Sequence, residues 1–343
     1  ARRGGPLSGL RLQKAFSSSP HSNDLARRIE GLTESSTLPR RPSRSSVSSE
    51  AMDVKVFNAP KQIFTALGNT AAVKAKSKTS DLLIAGFLAG AYISFGSALQ
   101  MTVASNLMGL KAMGMAGLAT LISASIFPVC FIIHVLAGSE LWTGNCAVMT
   151  SGALQKKCTW RDVLRHWSVA YIGNLIGALS FGYFLMFKSG LVSNAFSAFI
   201  ANIASAKTSL AFSEAFLRGI GANWLVCLAV VLVQSASSVP GKILGAWFPV
   251  MTFVATGFEH SVANMFTIPL SYMTQAASLA EFKDLFMVFV TKNLVPVTLG
   301  NIVGGAVFVA MFYDRLLMKN KEPKKYKLDL PKREAPPEPA KPA

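Results

Sequence analysis

The chain has 343 residues, 51% hydrophobic and 15% charged, with a formal net charge of +17. Ordinary soluble domains carry about 25% charged residues, so this composition, with a mean hydropathy of +0.40, argues against one. The basic excess does not mark a nucleic-acid binder: Lys and Arg gather before residue 80 and after Tyr313, with no interleaved base-stacking aromatics. Charged ends around an apolar middle are the pattern of a polytopic membrane protein, whose surroundings are the lipid bilayer.

Residues 1–55 are rich in Arg and Ser and have few acids before Glu30. That is the composition of an organelle transit peptide, the serines favouring a plastid over a mitochondrion, or of a basic disordered leader. Residues 56–81 read as an amphipathic or linker segment. A helix needs about 20 apolar residues to cross the hydrocarbon core. Six segments answer to that, at 82–104, 115–137, 163–187, 212–234, 241–257 and 285–312, within a membrane domain spanning 82–313. Two shorter apolar pieces, 143–153 and 261–272, read as half-helices beside broken points. Residues 314–343 read as a basic, Pro- and Lys-rich solvated tail. Six spans put both termini on one side, where Lys156, Lys157, Arg161, Arg165 and Lys242 also fall. The positive-inside rule then turns the termini to the cytoplasm-equivalent compartment, the stroma if the organelle is a plastid.

The two halves, 82–187 and 212–313, repeat a pattern. Gly138-Ser139-Glu140 with Asn145 matches Gly257-Phe258-Glu259 with Asn264, and Gly173-Asn174 matches Gly300-Asn301. Upstream, Gly90-Ala91 and Gly221-Ala222 stand within the first and fourth spans. Three spans per repeat is odd, so the halves are inverted in the membrane, an architecture of transport paths. The expected fold is therefore all-α, six transmembrane helices in an inverted 3+3 repeat with two broken helices.

Broken helices leave backbone groups unpaired. Glu140, Glu259, Asn145 and Asn264 can brace them, although either glutamate can instead take part directly. Half-helix N-termini near Thr143 and Ser261 favour an anion at the centre. An ionisable pair inside an apolar run marks a functional site by default. In the pair Glu259-His260, the glutamate has a counterpart in Glu140, whereas His260 stands where the first half has Leu141. His260 thus reads as a pore histidine offering N–H or a proton to an anion, with a satisfied core histidine as the alternative. His134 reads as a packed residue and His166, beside Trp167, as an interfacial one. Lys156 and Lys157 are topology signals that can also draw anions to a vestibule. Cys130, Cys146, Cys158 and Cys227 form no CxxC pair and read as small buried hydrophobes, without a disulfide or metal. Glu259-His260 as an acid/base pair lacks a nucleophile, metal spacing or phosphate loop, so an enzyme is not expected.

GSELWTGN at 138–145, GANWLVCLAV at 221–230, FVATGFEHSVANMFTIPL at 253–270 and NLVPVTLGN at 293–301 together resemble the formate/nitrite transporter family, over residues 80–313. With its leader, the chain looks like the plastid-targeted algal branch, described as nitrite or bicarbonate carriers of the envelope. The resemblance implies an aquaporin-like protomer in a homopentamer, without cofactors, that passes small monovalent anions passively or with protons. By motif position His260 would be the central pore histidine, with Thr143 and Asn223 as polar companions. Leu141, Trp142, Phe127, Phe131, Val226 and Phe253 would form apolar constrictions. Members often have Phe where this chain has Trp142, which bears on the substrate. The expected function is passage of nitrite or formate across the plastid inner envelope, with bicarbonate as the alternative on the same scaffold.

Overall fold

The computed structural model describes residues 57–318. The expected leader at 1–55 and all but the first few residues of the expected tail lie outside the described residues.

The described chain is helical and, apart from a single short turn of helix at Met108–Ala112, falls into two successive sets of five helices. The first set is α1 (Pro60–Ala75), α2 (Thr79–Asn106), α3 (Ala116–Ala137), α4 (Trp142–Leu154) and α5 (Trp160–Phe187). The second is α6 (Asn194–Thr208), α7 (Phe212–Ser235), α8 (Val239–Ala255), α9 (Ser261–Gln275) and α10 (Leu279–Met318). Five of these, α2, α3, α5, α7 and α10, are long and apolar enough to cross a membrane, and α8 adds a shorter apolar helix of 17 residues. The six-span, inverted-repeat fold is therefore present, with α4 and α9 as its half-helices.

Local chemistry sets the bounds. Pro60 opens α1, where its fixed φ suits a first turn and its missing N–H costs no bond. Pro128 divides α3 into 116–126 and 129–137 because it cannot donate within a helix. Gly138 and Gly257 end α3 and α8 with φ of 76° and 73°, and a side chain at either would meet no atom within 4 Å. Their shared role is the left-handed turn that sends the chain into each half-helix.

Three boundaries differ from expectation. The segment 56–81 contains a helix, α1, which buries Ile63, Phe64, Leu67 and Ala71 on one side. Helix α6 was not foreseen: its 15 residues are too few for a span, and their apolar positions serve one face only. Helix α10 continues past 312 to Met318, into the expected tail, with wide π turns at Val290–Leu294, Val303–Met311 and Asp314–Met318.

Close helix pairs hold each half. Helix α5 meets α2 at Gly173 and Gly86, and α10 meets α7 at Gly300 and Gly219. A methyl group on Gly300 would stand 2.1 Å from the carbonyl oxygen of Phe216, and one on Gly173 2.8 Å from that of Leu83. The equivalent upstream glycines are thus Gly86 and Gly219 rather than Gly90 and Gly221, because Gly221 packs against the Phe258 ring. Gly300→Ala forces two backbones apart and should cost about 2 kcal/mol or more, seen as a lower melting temperature in detergent and less folded protein.

Candidate functional site

Each break exposes backbone groups that water cannot reach, and one asparagine from the following span satisfies two of them while also reaching a carbonyl of the neighbouring helix. Asn174 on α5 accepts the Trp142 N–H at 2.9 Å and donates to the carbonyls of Gly86 at 2.8 Å and Glu140 at 2.9 Å. Asn301 on α10 accepts the Ser261 N–H at 2.9 Å and donates to the carbonyls of Gly219 at 2.8 Å and Glu259 at 3.0 Å. Both side chains are fully buried. The glycines beneath them are required because the donated bonds draw α5 onto α2 and α10 onto α7 at backbone distance.

The glutamates form a second matched layer. Glu140 accepts from Asn145 at 2.8 Å and pairs with Lys74 of α1. Glu259 accepts from Asn264 at 2.7 Å, from Asn293 at 3.2 Å and from Lys207 of α6 at 2.8 Å. Sequence reasoning named the glutamates and asparagines but missed both lysines and Asn293. A signal existed: Lys74 and Lys207 each stand twelve residues before the glycine under its asparagine. It is inconspicuous because α1 and α6 precede the first long apolar run of each half.

At the centre the repeat breaks. Leu141 and His260 are the N-cap residues of α4 and α9. Leu141 has no capping side chain, whereas His260 Nδ1 accepts the Ala263 N–H at 3.1 Å. In a neutral ring bonded this way the hydrogen is on Nε2. Nε2 then donates to Thr143 Oγ1 at 2.9 Å, joining the first turn of α4 to the cap of α9. The positive ends of the two half-helix dipoles face this bond. Phe253 stacks on the imidazole at 5.5 Å and meets Phe127 edge-on at 5.7 Å.

Two cavities approach the pair. One of about 210 Å³ is lined by Phe127, Phe253, His260, Asn264 and Lys207. The other, about 200 Å³, is lined by Lys74, Glu140, Leu141, Asn145, His134 and Val230. They lie on either side of the break: the first reaches His260, the second its counterpart Leu141. Other expected site residues fall elsewhere. Asn223 donates to the carbonyl of Asn301 at 2.6 Å and lines neither cavity, and neither does buried Val226. Phe131 packs on His134 at 5.5 Å. Trp142 is held edge-on by Tyr171 at 4.9 Å and Trp167 at 6.3 Å, facing a lateral groove instead of either cavity. Its indole is held there by these two rings. Lys157 is tied to the Thr65 carbonyl at 3.1 Å and to Asn69 at 2.8 Å, and Lys156 closes α4 with φ of 57°. His166 is not interfacial. It is fully buried under α1, with Nε2 3.4 Å from Glu140 Oε2. The four cysteines are free, and among the described residues no three His, Cys, Asp or Glu gather as a metal set.

An inverted repeat with two half-helices meeting at a buried polar pair, reached by a cavity from each side, defines a multi-pass membrane channel or transporter. The chain matches the family model for formate/nitrite transporters over residues 61–314, and it belongs to that family. It is 41% identical over 272 residues to a probable formate transporter of Methanothermobacter thermautotrophicus, covering 75% of this chain and 96% of that one. With the formate channel FocA of Escherichia coli K12 it shares 35% over 240 residues, 66% of this chain and 82% of that one. Among solved structures, a pentameric formate channel with formate bound superposes with a TM-score of 0.60 at 28% identity, over 70% of this chain and 98% of that one. An ion channel of the same family gives 0.64 at 26%, over 74% and 98%.

The asparagine knots generate a prediction. Asn301→Ala removes a fully buried side chain and leaves the Ser261 N–H and the Glu259 carbonyl unpaired, which should cost about 2 kcal/mol or more. Thermal melting in detergent should show a loss well beyond that of Asn106→Ala, whose side chain is exposed and bonds only within its own helix.

Proposed function

We propose that the chain passes small monovalent anions of weak acids, formate or nitrite foremost, and that His260 and Thr143 handle the anion between the two cavities. The observation that carries this reading is the bond from His260 Nε2 to Thr143 Oγ1 across the tips of α4 and α9. A bare anion in an apolar slit loses its hydration at large cost. Lys207 and Lys74 line the two cavities, each paired with a buried glutamate, and offer ammonium donors to an entering anion. At the centre, the Nε2–H and the threonine hydroxyl replace lost waters. The Phe127–Phe253 contact on one side and Leu141 on the other keep bulk water out.

The cap bond sharpens the proton question. While Nδ1 accepts from Ala263, His260 is a neutral hydrogen-bond donor. A relay through it requires the ring to take a second proton at Nδ1 and release the α9 cap. A weak acid gains a lower barrier when it travels protonated, and a strong-acid anion such as nitrate does not. A homopentamer, a plastid inner-envelope location and termini toward the stroma belong to the same proposal. The pentameric assembly of the formate channel above and the Arg/Ser-rich leader support them.

Purified protein in liposomes should pass formate and nitrite faster at lower pH, with nitrate slow throughout and bicarbonate as the competing substrate. Equal nitrate and nitrite rates overturn the weak-acid reading; bicarbonate flux exceeding both transfers the assignment to it. His260→Asn keeps an N-cap oxygen but replaces the imidazole. Flux should fall about tenfold or more, as expected for a lost hydrogen bond to a charge. Full, pH-independent flux in this variant removes the histidine from the mechanism. Thr143→Val should lower flux in the same direction.

A further inference from the structure

One face of the molecule carries a groove that the two cavities do not use. Its volume is about 570 Å³, and Trp142, Trp167, Tyr171, Leu294, Thr298 and Leu299 line it between α5 and α10. Tyr171 and Thr298 are as far apart in sequence as Asn174 and Asn301, so they are equivalents in the repeat. Their hydroxyls bond to each other at 2.7 Å. Equivalent residues of an inverted repeat touch only near the axis that relates the halves, and that axis lies in the membrane plane. The middle of the groove is therefore at mid-membrane.

From that middle a stripe runs back along α5 to its start. Ile172, Ser168, Leu164 and Trp160 are all exposed at every fourth residue, which is one face of a helix. Arg161 stands ten residues before Tyr171, about 15 Å along the helix and so about half the hydrocarbon thickness. At that level a basin of about 730 Å³ is lined by Lys156, Lys157, Thr159, Trp160 and Asp162. Lys156 and Arg161 are exposed and make no side-chain hydrogen bond or salt bridge among the described residues. Asp162 is occupied by the Thr159 N–H at 2.9 Å and the Thr159 hydroxyl at 2.7 Å. Two lysines and Arg161 against one acid leave the basin positive. The opposite end of the groove lacks this charge: Met287 and Val288 stand where α5 has Trp160 and Arg161, and Gln275 where the first half has Lys156. Lys292 of that end does not line the groove.

We propose that basin and groove together bind one anionic phospholipid from the leaflet at the start of α5. Its phosphate sits on Lys156 and Arg161, and one acyl chain follows the α5 stripe down to Tyr171 and Thr298. Basic groups beside a crevice between spans recognise such headgroups, and the indole of Trp160 suits the headgroup level. The chain's depth fits, because an acyl chain of one leaflet reaches from the interface to mid-membrane. The charges decide the occupant. A zwitterionic lipid or an apolar helix of a second copy gains little from two cations without partners, whereas an anionic headgroup supplies the partner.

The test is tryptophan quenching in phosphatidylcholine bilayers doped with phosphatidylglycerol or phosphatidylcholine brominated midway along the chain. The chain has five tryptophans. Changing the exposed Trp160, Trp224 and Trp247 to Phe leaves only the two groove indoles, Trp142 and Trp167. At equal mole fraction, brominated phosphatidylglycerol should occupy the groove about threefold or more over brominated phosphatidylcholine, and the preference should shrink as salt is added. Lys156→Gln with Arg161→Gln should bring that ratio to about one while quenching by phosphatidylcholine stays the same. Ser168→Phe, which fills the stripe, should remove the excess by blocking the chain. Equal quenching by the two lipids overturns the proposal, and so does a preference that survives K156Q/R161Q. Groove indoles quenched by neither lipid also overturn it, as they would be with a second copy seated there. If the triple-Phe background fails to assemble, the wild type and K156Q/R161Q give the same comparison above a signal from the outer indoles that both proteins share.

Discussion

The structure depends on satisfying two broken backbones far from water. In lipid an unpaired peptide group has no solvent to fall back on, and a helix interrupted mid-membrane exposes several at once. Asn174 and Asn301 each close two such groups with one amide and tie the break to a carbonyl of the neighbouring helix. That demand fixes much else. The helix donating the asparagine must lie against its neighbour at backbone distance, which requires glycine at the crossing. The chain must turn sharply before the half-helix, which requires Gly138 and Gly257 at positive φ. The half-helix tip then stands at the centre with its remaining N–H groups facing the tip of the other half-helix, which is an N-terminus too.

Around each knot the glutamate and lysine hold charge where lipid would otherwise forbid it. A carboxylate buried alone is costly, and one bonded to an amide and a lysine is tolerable. The lysines arrive from α1 and α6, helices that do not span. These two are parts of the transport unit because they deliver a cation to the mouth of each cavity.

The spans, the half-helices, the repeat and the place where His260 departs from it were legible in the sequence because each leaves a linear mark. Apolar length gives spans, G-x-E with a following Asn gives the breaks, and Glu259-His260 is conspicuous in an apolar run. Packing between distant segments was less legible. Helix α6 is too short to register as a span, so Lys207 had no apparent partner. His166 beside Trp167 looks like an interfacial pair, but α1 folds over it and removes the interface. Trp142 sits in the right motif to narrow the path, yet its indole packs edge-on against Tyr171 and Trp167. Asn223 reads as a companion of His260, whereas its amide is directed to Asn301.

The loop after α5 carries Gly190 at φ 78°, and the second set of five helices begins just beyond it. A cut there would leave two chains, each with its own lysine, glycine turn, half-helix and knotting asparagine. Each would be a whole copy of one building plan, able to meet the other face to face. What such twins would not share is the donor at their meeting point: one brings an isobutyl group, the other an imidazole.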